Sequence, residues 1–299
     1  MKTPRCFVTG GTGFVGRHLI RHLISREIAV SALTRDQDQA SALESMVARP
    51  GLFHTFNGDL CQAEGLQEWL RDGGTIIHLA AATPAHPSSG YRRVNVEGTR
   101  HLCAAAQRCR ARFIHISSLN ASRVTGAYGQ SKLDSEDIVR QSGLDYCILR
   151  PALVYGPGDT GMLGRISAAI RNTRLAIIPN GGQNRFQPIH VDDLCEAILQ
   201  VFADPRLGGR ILEIAGEDII TLGELIGILR QGTGRCSLPF ILSPSLTRAV
   251  LHCVGMFQPQ TRCRLQESLT DRVAAENALP EFVLAKRDLA QELLRAYSS

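Results

Sequence analysis

With 299 residues, 44% of them hydrophobic, the chain has material for one large domain or a main domain with a smaller lobe, each with a buried core. Its formal charge of +5 sets 33 basic against 28 acidic side chains spread along the length, which argues against a nucleic-acid partner. Nine cysteines, an odd number without a Cys-x-x-Cys pair, and a start that runs directly into a strand predict reduced thiols in a cytoplasmic protein.

In chain order, "RCFVTG" predicts a strand, and the residues from about Phe14 predict a helix with Leu19, Ile20, Leu23 and Ile24 on one stripe. "AVSALTR" and "TIIHLAAA" predict strands, followed by a helix around "VEGTRHLCAAAQRC" and the strand "RFIHISS". A polar helix, "YGQSKLDSEDIVRQSG", then leads into the strand "DYCILRPALVYG". Strands separated by helices of this length predict parallel βαβ units, hence a doubly wound α/β sheet. Residues 1–156 form the expected dinucleotide-binding domain, and 157–299 mainly a small C-terminal substrate lobe, with segments around 183–202 returning to the first domain. In that second part, helical pieces are predicted at "MLGRISAAIRN", "VDDLCEAILQVF" and "LGELIGILRQ". Prolines, Arg248 and His252 break "LPFILSPSLTRAVLHCVGMF", which therefore predicts a packed or interfacial segment and no transmembrane helix.

The chemistry begins at "VTGGTGFVGRHL", where Gly10, Gly13 and Gly16 stand between a predicted strand and a predicted helix. Glycines there permit a tight turn and let a pyrophosphate approach the backbone, while the helix start offers unpaired N–H groups. At the end of the second strand, Thr34 and Arg35 come before Asp36. A guanidinium suits a 2′-phosphate, so NADP is the expected cofactor; Asp36 keeps NAD open if it reaches the ribose instead. Tyr128 and Lys132 are four residues apart, one helix face, which by itself does not separate a catalytic pair from two surface residues. His78, His115 and His190 lack partners at metal-ligand spacing and predict packing roles, with no metal. Asp192 and Asp193 predict a helix N-terminal cap.

In "TGGTGFVG", "GDL", "HLAAA", "VNVEGT", "ISS", Tyr128-x-x-x-Lys132, "LRPALVYGPGD" and "IHVDDL", taken in this order, the chain resembles the extended, epimerase/dehydratase-like branch of the short-chain dehydrogenase/reductase superfamily over roughly two hundred residues. The resemblance implies a Rossmann-type fold and an NAD(P)-dependent oxidoreductase, epimerase or dehydratase that moves hydride to or from a carbinol carbon, of a sugar nucleotide or a related polar metabolite. It implies a catalytic set of Ser118, Tyr128 and Lys132, with Ser117 beside the serine. It places the cofactor on Gly10, Gly13, Phe14, Val15, Gly16, Arg35, Asp59, Leu60, Ala80, Ala81, Asn95, Tyr128, Lys132, Pro151 and Val154, and the substrate near Thr83 and Arg185. A homo-oligomer is compatible with it. The departures are a short "LNASRVTGA" loop, Met162 and Leu163 where the family often has an asparagine, and Arg185 one position early with Phe186 in its slot. The form "QPIHVDD" also resembles the atypical branch containing the nucleotide-binding accessory subunit of respiratory complex I. That likeness implies the alternative of a structural or sensing dinucleotide binder.

Overall fold

The computed structural model describes residues 5–47, 49, 51–71, 73–83, 90–123, 126–233, 237–257, 269–283 and 287–298. The elements in the first half are β1 (Arg5–Thr9), α1 (Phe14–Ser25), β2 (Ala29–Thr34), α2 (Gln37–Val47), β3 (Phe53–Asn57), α3 (Leu66–Trp69) and β4 (Thr75–His78). A π-helical turn, Tyr91–Glu97, runs into α4 (Gly98–Cys109), followed by β5 (Arg112–Ile116), α5 (Leu119–Arg123), α6 (Gly126–Gln141) and β6 (Tyr146–Pro151). Then come β7 (Val154–Tyr155), α7 (Met162–Thr173), β8 (Leu175–Ile178), β9 (Arg185–Phe186), β10 (Ile189–His190), α8 (Val191–Ala203) and β11 (Ile211–Ile214). The remainder contains β12 (Ile220–Thr221), α9 (Leu222–Gly232), β13 (Leu238–Ile241), α10 (Pro244–Phe257) and α11 (Leu289–Tyr297).

Seven strands form one sheet in the order β11-β6-β5-β4-β1-β2-β3. Every pairing from β3 through to β6 is parallel, the arrangement of a doubly wound Rossmann-type α/β fold. The order reverses between β1 and β4, and the crevice at such a reversal is where these sheets bind ligands. Buried strands need near-continuous apolar runs. β1 supplies Cys6, Phe7 and Val8, and β4 supplies Ile76 and Ile77, all buried. The expected stripe of α1 is buried as read: Leu19, Ile20, Leu23 and Ile24.

The chain divides into two compact units, Met1–Pro151 with Asp192–Glu213, and Ala152–Val191 with Ile214–Ser299. In the first, Phe7, Trp69, Leu102, Phe113 and Ile148 share a core. Trp69 meets Phe7 edge-on at 5.3 Å while its indole N–H donates to Ser31 Oγ at 2.8 Å, so an amphipathic side chain is fully satisfied inside. In the second, Leu163, Phe186, Leu225, Leu229 and Leu293 form a core of their own. Among the described residues no helix is long and apolar enough to cross a membrane.

Three local expectations change. The strand read through "DYCILRPALVYG" breaks after Pro151, and β7 pairs with β10 in the second unit. The loop after Ser118 contains the short helix α5. Asp192 and Asp193 lie inside the first turn of α8, not at its cap. Asp192 Oδ1 instead stands 3.3 Å from His18 Nδ1 and 3.2 Å from His22 Nε2 on α1, and His22 Nδ1 is 3.2 Å from Glu196. This carboxylate–imidazole clasp fastens α8 to α1 and raises the His22 pKa, chiefly through its hydrogen bond with Asp192.

Candidate functional site

The glycine turn is as tight as its sequence requires. Gly10 has φ +73, and a Cβ there would fall 2.7 Å from the Ala80 nitrogen; one at Gly16 would fall 2.2 Å from the Gly10 oxygen. Gly13 is the N-cap of α1, exposed and without a side-chain cap. A Cβ on it would meet only Gly10 O, at 3.2 Å. The result is a backbone-walled, uncapped helix start, which fits an anionic pyrophosphate. Phe14 and Val15, half-buried, open the helix.

Around this turn, Ala80 and Ala81 follow β4, and the Ala80 amide donates to Thr9 Oγ1 at 3.2 Å. The buried Asn95 clamps the same segment: its Oδ1 accepts from the Ala82 amide at 2.7 Å and its Nδ2 donates to Ala82 O at 3.1 Å and Ser131 Oγ at 2.9 Å. Asp59 accepts from the Cys61 amide at 3.0 Å, and Leu60 beside it is buried. Arg35 is exposed just beyond the buried Thr34. Asp36 Oδ1 accepts from the amides of Asp38 at 2.8 Å and Gln39 at 3.1 Å, so its carboxylate caps α2.

On α6, Tyr128 is half-buried, its ring edge-on to the buried Tyr91 at 5.8 Å. One turn on, Lys132 is buried, and its ammonium donates to Ile116 O at the end of β5 at 2.8 Å. Burial lowers its pKa to about 8, against the opposing pull of Glu136. Ser118 is half-buried and its Oγ accepts from the Asn120 amide at 3.2 Å. Ser117 is buried and donates to Glu136 Oε1, so its hydroxyl is committed. Glu136, fully buried, also takes a bidentate pair from Arg150, at 3.0 Å from Nε and 2.7 Å from the terminal nitrogen. This Ser117–Glu136–Arg150 network escaped the sequence reading. Its one signal was a glutamate four residues after the lysine, on the same helix face.

Beneath the sheet ends, His78 Nε2 meets Thr99 Oγ1 at 3.0 Å, while Thr99 donates its own hydroxyl to Asn95 O at 2.6 Å. Thr99 must therefore accept from Nε2–H, and Thr9 Oγ1 donates to Nδ1 at 2.7 Å. This neutral tautomer is fully partnered, and burial lowers the His78 pKa to about 3. His115 stacks on it at 5.2 Å, and its pKa is likewise lowered, first by burial and then by Lys132.

Of the remaining expected residues, Thr83 and Pro151 belong to the first unit and Val154 and Arg185 to the second. Thr83 is exposed after β4. Pro151 ends β6, and Val154 opens β7 in the second unit. Arg185, also there, is exposed and pairs with Asp271 at 3.2 Å. Met162 is half-buried and Leu163 fully buried at the start of α7.

Residues 6–215 match the NAD-dependent epimerase/dehydratase family. The chain is 29% identical over 252 residues to a 4-hydroxy-2-methyl-3-oxo-4-farnesyl-3,4-dihydroquinoline-1-oxide ketoreductase of Stigmatella aurantiaca, covering 77% of this chain and 73% of that one. It is 33% identical over 202 residues to the ceramide reductase of Caulobacter vibrioides, covering 67% of this chain and 62% of the relative's own length. In fold it matches the dTDP-glucose 4,6-dehydratase DesIV of Streptomyces venezuelae, whose structure holds NAD, with a TM-score of 0.80 at 23% identity over 98% of this chain and 95% of that one.

Proposed function

The chain belongs to the NAD-dependent epimerase/dehydratase family of enzymes, and we propose that it moves hydride between a nicotinamide dinucleotide and the carbinol carbon of its substrate. When bound, the nicotinamide supplies or takes up the hydride. The uncapped start of α1, with Gly10, Gly13 and Gly16, holds the pyrophosphate; Asp59 and Leu60 flank the adenine; Arg35 faces the adenosine ribose. Ala80 and Ala81, fixed by Asn95 through Ala82, wall the crevice.

Tyr128 gives or takes the proton at the substrate oxygen, Ser118 orients that oxygen, and Lys132 holds the nicotinamide ribose and draws the phenol toward its ionised form. A free phenol titrates near pH ~10 and is a poor base at neutrality, so it needs an adjacent positive charge. The observation that carries this reading is Lys132, a buried ammonium one turn from Tyr128 and anchored on Ile116 O. Ser118, not Ser117, takes the serine role, because the Ser117 hydroxyl is tied to Glu136. Tyr128→Phe should lower kcat by about a hundredfold or more while dinucleotide affinity stays within about twofold. Equal turnover in parent and variant would exclude the proton-transfer role. A parent that binds dinucleotide but turns over no secondary alcohol or ketone would point to the structural or sensing alternative.

For the cofactor, Arg35 beside a helix-capping Asp36 supports NADP over NAD. For the substrate, a sugar nucleotide or related polar metabolite remains the first reading. The apolar pair Met162 and Leu163, with Arg185 paired to Asp271, favours a second: a ketone or alcohol without a diphosphate, in keeping with the names of the two reductase relatives. Calorimetry with UDP decides between them. Tight binding that Arg185→Ala weakens supports the nucleotide, and absence of binding supports the second reading.

A further inference from the structure

A two-stranded sheet with one face on a core normally turns polar side chains outward. β8 does the opposite, and all four residues of its partner β13 are exposed. Ala176 and Ile178 are buried inward, whereas Leu175 and Ile177 are 47% and 56% exposed. The parallel register sets Leu238 beside Leu175 and Phe240 beside Ile177, and these are 67% and 57% exposed. Two registered apolar pairs thus face outward. The next element repeats the pattern: on α10, Thr247 and Leu251 are buried, while Leu246, Val250 and Cys253 lie exposed at a spacing of four and then three residues. Scattered exposed aliphatic side chains are ordinary, but a registered group of them with a phenylalanine marks a contact surface.

Charge identifies what the surface contacts. From Thr160 to Val191 and from Leu225 to Phe257 there is no Asp or Glu, and no Lys; the charged side chains are all arginines. The exposed Arg174 directly precedes Leu175, and its carbonyl accepts the Leu238 amide at 3.0 Å, which puts it at the edge of the apolar pairs. Arg248, two residues from both Leu246 and Val250, lies on the opposite flank of α10 and does not border that stripe. Glu224, at the head of the neighbouring α9, is folded back into a capping box with Thr221. Apolar side chains with Arg174 at their edge, in segments whose charged residues are all arginines, match the boundary of a bilayer whose headgroups are anionic. A second copy using the same face would set arginine against arginine. We infer that the outer face of β8 and β13, with α10, docks this protein onto a membrane surface containing anionic lipid. Such docking is independent of the hydride chemistry proposed above.

The test uses the full chain with vesicles of phosphatidylcholine, alone or mixed with phosphatidylglycerol. Co-sedimentation should require the anionic lipid and weaken with salt, and Arg174→Glu should reduce it by about fivefold or more. Ile177→Asp with Phe240→Asp should abolish it while dinucleotide binding in the first unit is retained. As a conservative probe, Phe240→Trp should show a blue-shifted emission when anionic vesicles are added, over the background of the single, buried Trp69. Absence of sedimentation with either vesicle, or no shift in the Phe240→Trp protein, would overturn the inference. So would a parent dimer that Phe240→Asp converts to monomer, since the face would then join two copies.

Discussion

Asp36 commits one carboxylate oxygen, Oδ1, to the amides of Asp38 and Gln39 at the head of α2, beside the proposed adenosine site. Arg35, one residue earlier, is the exposed cation there. Arg35→Ala should therefore weaken NADPH by about ten- to a hundredfold and NADH hardly at all, measured as paired fluorescence titrations. Equal losses for both cofactors would reduce Arg35 to a surface charge. Glu136 is a different kind of residue, since it is fully buried between Ser117 and Arg150. Glu136→Gln would leave the Arg150 guanidinium, among the described residues, with Glu213 at 3.9 Å as its carboxylate partner. We expect a loss of about 3 kcal/mol in urea unfolding. The same change removes the charge that holds up the Lys132 pKa, which should then fall further below its ordinary value.

At the scale of elements, the turn between β1 and α1 is set by backbone against backbone. Gly16→Ala would press a methyl against the Gly10 oxygen, so dinucleotide affinity should fall by about tenfold or more, whereas Gly51→Ala, with nothing within 4 Å, should bind as the parent does. This turn was legible because the glycines stand at a strand–helix junction, where their spacing has a steric reason. The Tyr128–Lys132 pair was legible only through the order of motifs around it, since a four-residue spacing says no more than that the two share a helix face. β3 was not: "FHTFN" has two phenylalanines among polar residues, and its strand state comes from pairing with β2. Nor was the Glu136–Arg150 pair, which joins α6 to β6 across the fold and leaves no local pattern. The outward apolar pairs of β8 and β13 were half legible. "LPFILSPSLTRAVLHCVGMF" suggested a packed or interfacial segment, but the partner strand and its register appear only in three dimensions.

For the whole molecule, two sets of histidines pull the pH dependence in opposite directions. His78 and His115 have folded pKa values below the ordinary 6.5, His78 at about 3, so the stability they allow is full above about pH 6.5 and is lost as the pH falls toward 3. His22 has a raised pKa; its contribution is full below about 6.5 and fades as the pH rises through the raised value. The melting temperature should thus fall on acidification, and His78→Gln, though less stable at neutrality, should show a flatter acid limb. A parent with no acid loss between pH 7 and 5 would show that both rings accept protons in the folded state. The discontinuous first unit has a consequence of another kind. Asp192–Glu213 brings α8 and β11, and β11 closes the sheet against β6. During synthesis Met1–Pro151 leaves the ribosome first, so the growing chain carries β6 as an unpaired edge until some sixty more residues are made. A fragment ending at Pro151 should stay in that state and aggregate, and adding Asp192–Glu213 through a short linker should restore its solubility.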